Sequence, residues 1–425
     1  MRIFKFGGAS IKDAQHIKNV VEIIKKHSDQ PLVVVISAMG KITNAMEEVV
    51  QYTFDKKAKE AAAKIDEIKA QHLSILRDLF GDKSNMAEEM LLNLFEQVYD
   101  VQKFHCHPDV ENRYNRLYDK IVPFGELVST TMVNLYLKSQ NFKSCFLDVR
   151  TVIKTEEIFR EGKVLWDITQ SLVEDKLKEK LKNEIVITQG FLGGTINGVT
   201  TTLGREGSDY TAAILAYCLN ADSVTIWKDV AGVLNADPKM VKGALLLENI
   251  SYSEALELAY AGATVIHPKT IRPLQSKNIP LRVFSFYNPE EKGTIISKER
   301  DHDKLIPSII FKQKQVLLKL KSKDFSFITE QNLSHIFGLL SEKRIKANMM
   351  QLTAADFSVC VNEDRKLSEL CDLLAEHYDV KSIENLRMIT IRHYNQEAID
   401  NSVNGQKVML SEKLEDAARF VLQEE

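Results

Sequence analysis

The sequence predicts a three-layer α/β/α body that carries a helical insertion and is followed by a smaller α+β region of β-α-β-β-α-β type. Three observations predict it. Short apolar, β-branched runs alternate with helically spaced segments over the first two thirds of the chain. Residues 51–120 break that alternation, with sparse Gly and Pro and dense Lys, Glu and Ala. From about residue 305 the order of strands and helices changes again. Alternating strands and helices call for a mostly parallel sheet covered on both faces.

In chain order, residues 3–6 form a short strand closed by Gly7-Gly8, and Ile17, Val20, Val21 and Ile24 then fall at helical spacing. Residues 32–36 are continuously apolar, as a strand buried on both faces is. Strand-like runs recur at 145–149, 184–188, 223–227 and 281–286, separated by helical stretches such as 210–219 and 253–260. In the insertion, Ala61, Ile65, Ile68, His72, Ile75 and Leu79 step by four and three, which gives a helix one apolar face; Leu91, Phe95 and Val98 continue the habit after Gly81. Core packing is the expected role of this stripe, His72 included. The charge cluster Lys298-Glu299-Arg300-Asp301 marks a boundary, so the expected domains are 1–300 and 305–425. In the second, 316–320 is a strand. Leu333, Ile336, Phe337 and Leu340 make a helix face, 357–361 is a strand, 367–377 a helix and 387–392 a strand. The tail is expected to add one strand, 406–410, and one capped helix, 411–422.

Charge and cysteine usage narrow the function. Lys and Arg number 56 against 59 Asp and Glu, a formal charge of −3, so no general excess of positive charge draws the chain to nucleic acid or anionic lipid. Any anion must be met by a local cluster. Five scattered cysteines, none in a C-x-x-C pair, argue against a disulfide framework and a structural zinc site. The opening Met-Arg-Ile-Phe-Lys-Phe-Gly-Gly turns polar too soon for a signal peptide, and 32–36, the longest apolar run, is far short of a membrane span. A cytoplasmic setting is expected.

Four segments carry candidate chemistry. Lys5-Phe6-Gly7-Gly8-Ala9-Ser10 sets a cation beside two glycines whose amides can approach an anion closely; the alternative is a plain strand-to-helix turn. Ser37-Ala38-Met39-Gly40-Lys41-Ile42-Thr43-Asn44 follows the buried strand, at the edge where open α/β sheets bind ligands; alternatively Thr43 caps a helix, with Glu47 nearby. In Phe124-Gly125-Glu126, Glu126 either caps the next helix or binds an amino group. The richest stretch runs from Gly190 to Pro238. Within Gly204-Arg205-Glu206-Gly207-Ser208-Asp209, Arg205 offers a fork for a carboxylate or phosphate, and Ser208 and Asp209 begin a helix, as cap or as site residues. Lys228-Asp229 ends another strand, and Lys239 follows the turn at Asp237-Pro238. Together these groups could hold a nucleoside triphosphate opposite a small acid. They include neither a Ser-His-Asp grouping nor a His/Cys metal cluster, and phosphoryl transfer needs positioning and charge neutralisation above all.

In this order and spacing the motifs, with Asp148-Val149-Arg150, resemble the aspartokinases of the amino acid kinase superfamily over residues 1 to about 395. The resemblance implies transfer of the ATP γ-phosphoryl group to the β-carboxylate of L-aspartate, the first step towards lysine, threonine and methionine. It implies Lys5 and Asp209 as catalytic residues and Gly7, Gly8, Lys228, Asp229 and Lys239, with Lys5, on the nucleotide side. Ser37, Thr43, Glu126, Arg205 and Ser208 fall on the aspartate side, Arg205 clamping a carboxylate and Glu126 opposing the α-ammonium. Mg²⁺ would bridge phosphate oxygens with little direct protein ligation. Glu206 stands where relatives carry Gly and is expected to point outward. Leu234 and Thr264 replace a common Tyr and Lys near the nucleotide, and Lys228 could compensate. The C-terminal region resembles paired ACT regulatory units, one nested in the other, the outer one truncated. That implies a homodimer or higher homo-oligomer and an amino acid effector, lysine or threonine. Asn348 stands where some lysine-sensitive relatives carry an acid. Two other readings are a related kinase acting on glutamate or a nucleotide, and a catalytically silent amino acid sensor.

Overall fold

The computed structural model describes residues 1–103, 113–263, 265–304, 306–324 and 326–424. The chain divides into two compact units. The first comprises Met1–Val233, Leu246–Leu256 and Val265–His302; the second comprises Leu234–Leu245, Glu257–Thr264 and Asp303–Glu425.

The strands of the first unit are β1 (Arg2–Phe6), β2 (Leu32–Ile36), β3 (Ser144–Leu147), β4 (Ile185–Gln189), β5 (Leu192–Gly194), β6 (Thr200–Thr202), β7 (Ser223–Lys228), β8 (Asn249–Ser251), β9 (Leu281–Ser285) and β10 (Thr294–Ser297). Eight of them form one sheet in the order β3-β4-β2-β1-β7-β9-β10-β8, while β5 and β6 pair as a separate hairpin. Only the β9–β10 pairing in the large sheet is antiparallel. From β1 the chain passes to β2, then to the edge strand β3 and back to β4 between them, before it returns to β7 on the other side of β1. The topology therefore reverses beside β1, which is where open α/β sheets leave a crevice at their carboxyl ends.

The pleat decides which side chains reach that crevice. Phe4, Phe6, Val34, Ile36 and Trp227 point to one face, into a core shared with helices α1 (Ala14–Lys26), α2 (Ile42–Phe54), α3 (Ala58–Phe80), α4 (Asn85–Lys103), α5 (Arg113–Ile121) and α6 (Phe124–Ser139). Ile3 and Lys5, paired with Val224 and Ile226, point to the opposite face, and Lys228 follows Ile226 on that face by the two-residue period. The insertion is helical through α3, α4 and α5 as far as it is described. Every member of the Ala61-to-Leu79 stripe is buried, His72 among them. His72 donates one hydrogen bond from Nδ1 to the Ile68 carbonyl at 2.7 Å, and burial lowers its pKa to about 4, so the ring is neutral. The remaining helices of this unit are α7 (Trp166–Leu177), α8 (Gly207–Leu219), α9 (Tyr252–Ala261), which runs on into the second unit, and α10 (Pro268–Ser276).

The second unit holds a six-stranded antiparallel sheet of β11 (Ser308–Ser322), β12 (Ala347–Leu352), β13 (Asp356–Asn362), β14 (Tyr378–Arg392), β15 (Val408–Lys413) and β16 (Ala417–Gln423), in the order β12-β13-β11-β14-β16-β15. Its helices are α11 (Glu330–Glu342), α12 (Leu367–Ala375) and α13 (Gln396–Val403). The strand expected at 316–320 is part of a longer one. β11 is continuous, with a register shift between Lys312 and Gln315 where Lys314 takes φ 54°.

The expected terminal helix at 411–422 is wrong: the chain there is the end of β15 and then β16. Residues 411–418 have a helix-like composition, but Ala418, Phe420 and Leu422 pack in one cluster and Val421 in another, so the segment is buried on both faces like a central strand. The helix lies earlier, in α13, where the Asn395 side chain accepts from the Ala398 N–H at 2.7 Å. With α13, β15 and β16 in place, the six-stranded sheet is extended on the β14 side. Among the described residues no helix is long and apolar enough to cross a membrane.

Candidate active site

The site is built where β1, β2, β4 and β7 end and where α6 and α8 begin. Lys5, on the α8 side of the sheet, places Nζ 2.6 Å from Asp209 Oδ1. Lys228, the last residue of β7, places Nζ 3.4 Å from the other oxygen, Oδ2, and also donates to the Val265 carbonyl. Asp209 lies in the first turn of α8 and is 2% exposed. Burial by itself would raise its pKa. Lys5 first and Lys228 second outweigh that and hold the carboxyl below its ordinary range. One buried carboxylate thus orients two ammonium groups at the mouth of the crevice.

The turns interlock around this centre. The Gly40 N–H donates to the Gly8 carbonyl at 2.9 Å, and a Cβ on Gly8 would lie 2.7 Å from the Ala38 carbonyl oxygen, so only glycine fits. Lys5 Nζ lies 3.4 Å from where a Cβ on Gly7 would be. The Ser37 N–H donates to the Phe6 carbonyl at 3.2 Å, and the Ser37 carbonyl accepts from Ser129 Oγ at 2.6 Å. A Cβ on Gly190 would fall 2.4 Å from that of Ser208, which seats the start of α8 against the end of β4.

Glu126, third residue of α6, is 3% exposed. Burial pushes its pKa up to about 8, against hydrogen bonds from the Ala38 N–H and its own N–H and the charge of Lys5. Its Oε2 has no hydrogen-bond partner among the described residues.

The turn before α8 departs from expectation. Arg205 is exposed, but Glu206 does not point wholly outward: its Oε2 is buried and has no hydrogen-bond partner among the described residues. Burial raises its pKa, Lys228 opposing and Asp209 reinforcing the rise. The reason is its backbone, which is left-handed at φ 53° and ψ 30° and turns the side chain in over the first turn of the helix. The capping alternatives also fail. Glu206 is the N-cap residue of α8, so Ser208 and Asp209 lie inside the helix, and Lys41 precedes α2, so Thr43 is its second residue.

The structure thus brings together Lys5, Gly7, Gly8, Ser37, Glu126, Ser208, Asp209 and Lys228. Thr43 is half-buried near the start of α2, and Asp229 is exposed just past β7. Lys239 is exposed and belongs, with Leu234, to the second unit; Thr264 lies outside the described residues. In the second unit Asn348 is buried and bonded to Lys312, Gln315 and Asn362, so its side chain is taken up by its own sheet.

Sequence reading missed Ser129 and Asp119. Asp119 is fully buried in α5 and accepts from the Arg160 N–H and from both the N–H and hydroxyl of Thr202, which ties the insertion to β6. Burial lifts it to about 6, against those hydrogen bonds. Its signal was an acid beside Leu117, Tyr118 and Ile121 on an otherwise buried helix face.

Comparisons with known proteins place this geometry. The model of the amino acid kinase family matches residues 1–285. The lysine-sensitive aspartokinase 3 of Escherichia coli is 31% identical over 362 residues, covering 85% of this chain and 78% of that protein. The chloroplastic aspartokinase 1 of Arabidopsis thaliana is 30% identical over 407 residues, covering 92% and 68%. The crystal structure of E. coli aspartokinase III in complex with aspartate and ADP superposes with a TM-score of 0.81 at 26% identity, over 100% of this chain and 96% of that one.

Proposed function

The chain belongs to the amino acid kinase family and, within it, to the aspartokinases, and from that premise we infer that it transfers the γ-phosphoryl group of ATP to the β-carboxylate of L-aspartate. The observation that carries this reading is the Lys5–Asp209–Lys228 centre at the carboxyl ends of β1 and β7.

An oxygen of the aspartate β-carboxylate attacks the γ-phosphorus, the bond from that phosphorus to the bridging oxygen breaks, and ADP leaves with the electron pair. The attacking oxygen is already ionised, so no general base is needed. Lys5 neutralises charge on the transferred group, and Lys228 meets the phosphates from β7, both aligned by Asp209. The amides of Gly7 and Gly8 cradle the phosphates, Asp229 completes the nucleotide side, and Arg205 takes an aspartate carboxylate by its fork. Glu126, once ionised, faces the α-ammonium, and Ser37, Thr43 and Ser208 complete the acceptor side. Mg²⁺ bound to ATP would supply further charge neutralisation. Among the described residues no three His, Cys, Asp or Glu side chains converge to hold a metal, though Glu206 Oε2 is a buried oxygen free to face one.

Residues 1–300 are then the catalytic domain, with 51–120 inserted, and 305–425 a nested ACT-like regulatory pair. That pair would bind lysine or threonine and join copies of a cytoplasmic homo-oligomer. The relative solved with lysine and aspartate supports the effector class. The test is ATP-dependent acyl phosphate formation trapped as hydroxamate, with and without lysine and threonine. Product from aspartate but not glutamate is expected; product from glutamate, or from neither, sinks the reading.

A further inference from the structure

Glu206 closes the turn that presents Arg205 and opens α8, in a backbone conformation that glycine adopts freely and other residues avoid. Its Oε2 is shielded from solvent and meets no donor among the described residues. The charged groups acting on it are Lys228 from β7, Asp209 from α8, Lys5 from β1 and Arg205 beside it. Lys5 and Lys228 are already engaged by Asp209, at 2.6 and 3.4 Å. Glu206 therefore brings a second acid, with a carboxylate oxygen that no donor meets among the described residues, to the place where the phosphates of the donor must lie. Such a carboxylate is costly in isolation and repels bare phosphate oxygens. It is also the hard oxygen that a divalent cation takes when it bridges phosphates and protein.

Resting on the reading of ATP as phosphoryl donor, we propose that Glu206 makes nucleotide recognition depend on a divalent cation. Its carboxylate takes the cation that accompanies the nucleotide and rejects nucleotide that arrives without one. Counted formally, Lys5, Lys228 and Arg205 against Asp209 and Glu206 leave one net positive charge, where a neutral residue at 206 would leave two. The site is thereby tuned to a nucleotide whose own charge is partly cancelled by metal.

Calorimetric titration of the full-length protein with ADP, once in excess Mg²⁺ and once in EDTA, reads this directly as a ratio of two affinities. Wild type is compared with Glu206→Gln, which keeps the shape, and Glu206→Gly, which suits the left-handed backbone and guards against a folding defect. Both variants are expected to reduce the ratio by about tenfold or more, metal-free ADP binding better and Mg²⁺–ADP worse. An unchanged ratio in both overturns the proposal. So does a parallel rise of both affinities, which would make Glu206 a simple like-charge obstacle. Failure of wild type to bind ADP at all, or to phosphorylate aspartate, overturns the reading of the site itself and this inference with it; wild type alone tells the two failures apart.

Discussion

Lys5 is a single residue that serves two neighbours, since it pairs with Asp209 and its charge is felt by Glu126. Lys5→Met keeps most of the stem and removes the charge. It is expected to lower kcat about 10²–10³-fold, the cost of losing one group aimed at developing charge, with the fold intact by circular dichroism because Lys228 still holds Asp209. Near-normal turnover would show that Lys5 does not face the transferred group. Glu126 gives a second prediction. With its pKa at about 8, the free protein carries it protonated near neutral pH, while an α-ammonium needs the carboxylate. Aspartate binding should release a proton and tighten as pH rises towards about 8, and Glu126→Gln should lose both effects. Calorimetry in buffers of different ionisation enthalpy reads the proton. The same raised pKa has a stability cost of known sign. The folded state keeps a proton that the unfolded chain sheds near 4.5, so this contribution is full below that value and is lost as pH rises through about 8.

At the scale of elements, strands buried on both faces were easily read, because β2, β4 and β7 are short apolar runs bounded by polar turns. The helical insertion was legible for the same reason, its stripe being regular over α3. Composition misled at 411–422, where helix-forming residues end β15 and lead into β16, a strand that tertiary pairing with β14 imposes. The short β5–β6 hairpin, where a Gly pair meets a Thr run, had no period to announce it. Lys5, Asp209 and Lys228 could each be named from their motifs, but that one carboxylate holds both lysines depends on the β1–β7 register. The inward turn of Glu206 depends on a backbone angle that no motif prints. The insertion also carries a titration. His72, buried and neutral in α3, has its pKa lowered from 6.5 to about 4. The unfolded chain therefore takes up a proton first, and stability present above 6.5 is lost as pH falls towards 4, by about 3 kcal/mol in all. Denaturant titrations at pH 7 and pH 4.5 should show this loss reduced in His72→Leu relative to wild type. Equal acid sensitivity in the two proteins would place the titrating group elsewhere.

For the molecule as a whole, the chain crosses between its two units at 233/234, 245/246, 256/257, 264/265 and 302/303, so no single cut separates them. Residues 257–264 belong to the second unit and lead directly into Val265, whose carbonyl receives the Lys228 ammonium in the first. Their partners within the second unit come late in the sequence. Glu257 faces Arg392 at 3.8 Å, the Tyr260 ring lies under the Lys346 ammonium at 4.2 Å, and Gly262 packs against the Lys312 side chain. Asn235 likewise accepts from the Ile309 N–H and donates to the Pro307 carbonyl. A chain ending at residue 302 keeps every strand of the eight-stranded sheet and every member of the Lys5–Asp209–Lys228 centre, but loses all of these anchors. If the charges alone sufficed, such a fragment would work. Phosphoryl transfer instead depends on placement, and a misplacement of about 1 Å costs about 10²-fold. The fragment 1–302 is therefore expected to fold, to melt earlier than the full chain, and to phosphorylate aspartate about 10²-fold more slowly in the hydroxamate assay. Turnover at the full-length rate would mean that Lys228 is positioned by the first unit without help, and that the threading of the chain serves something other than catalysis.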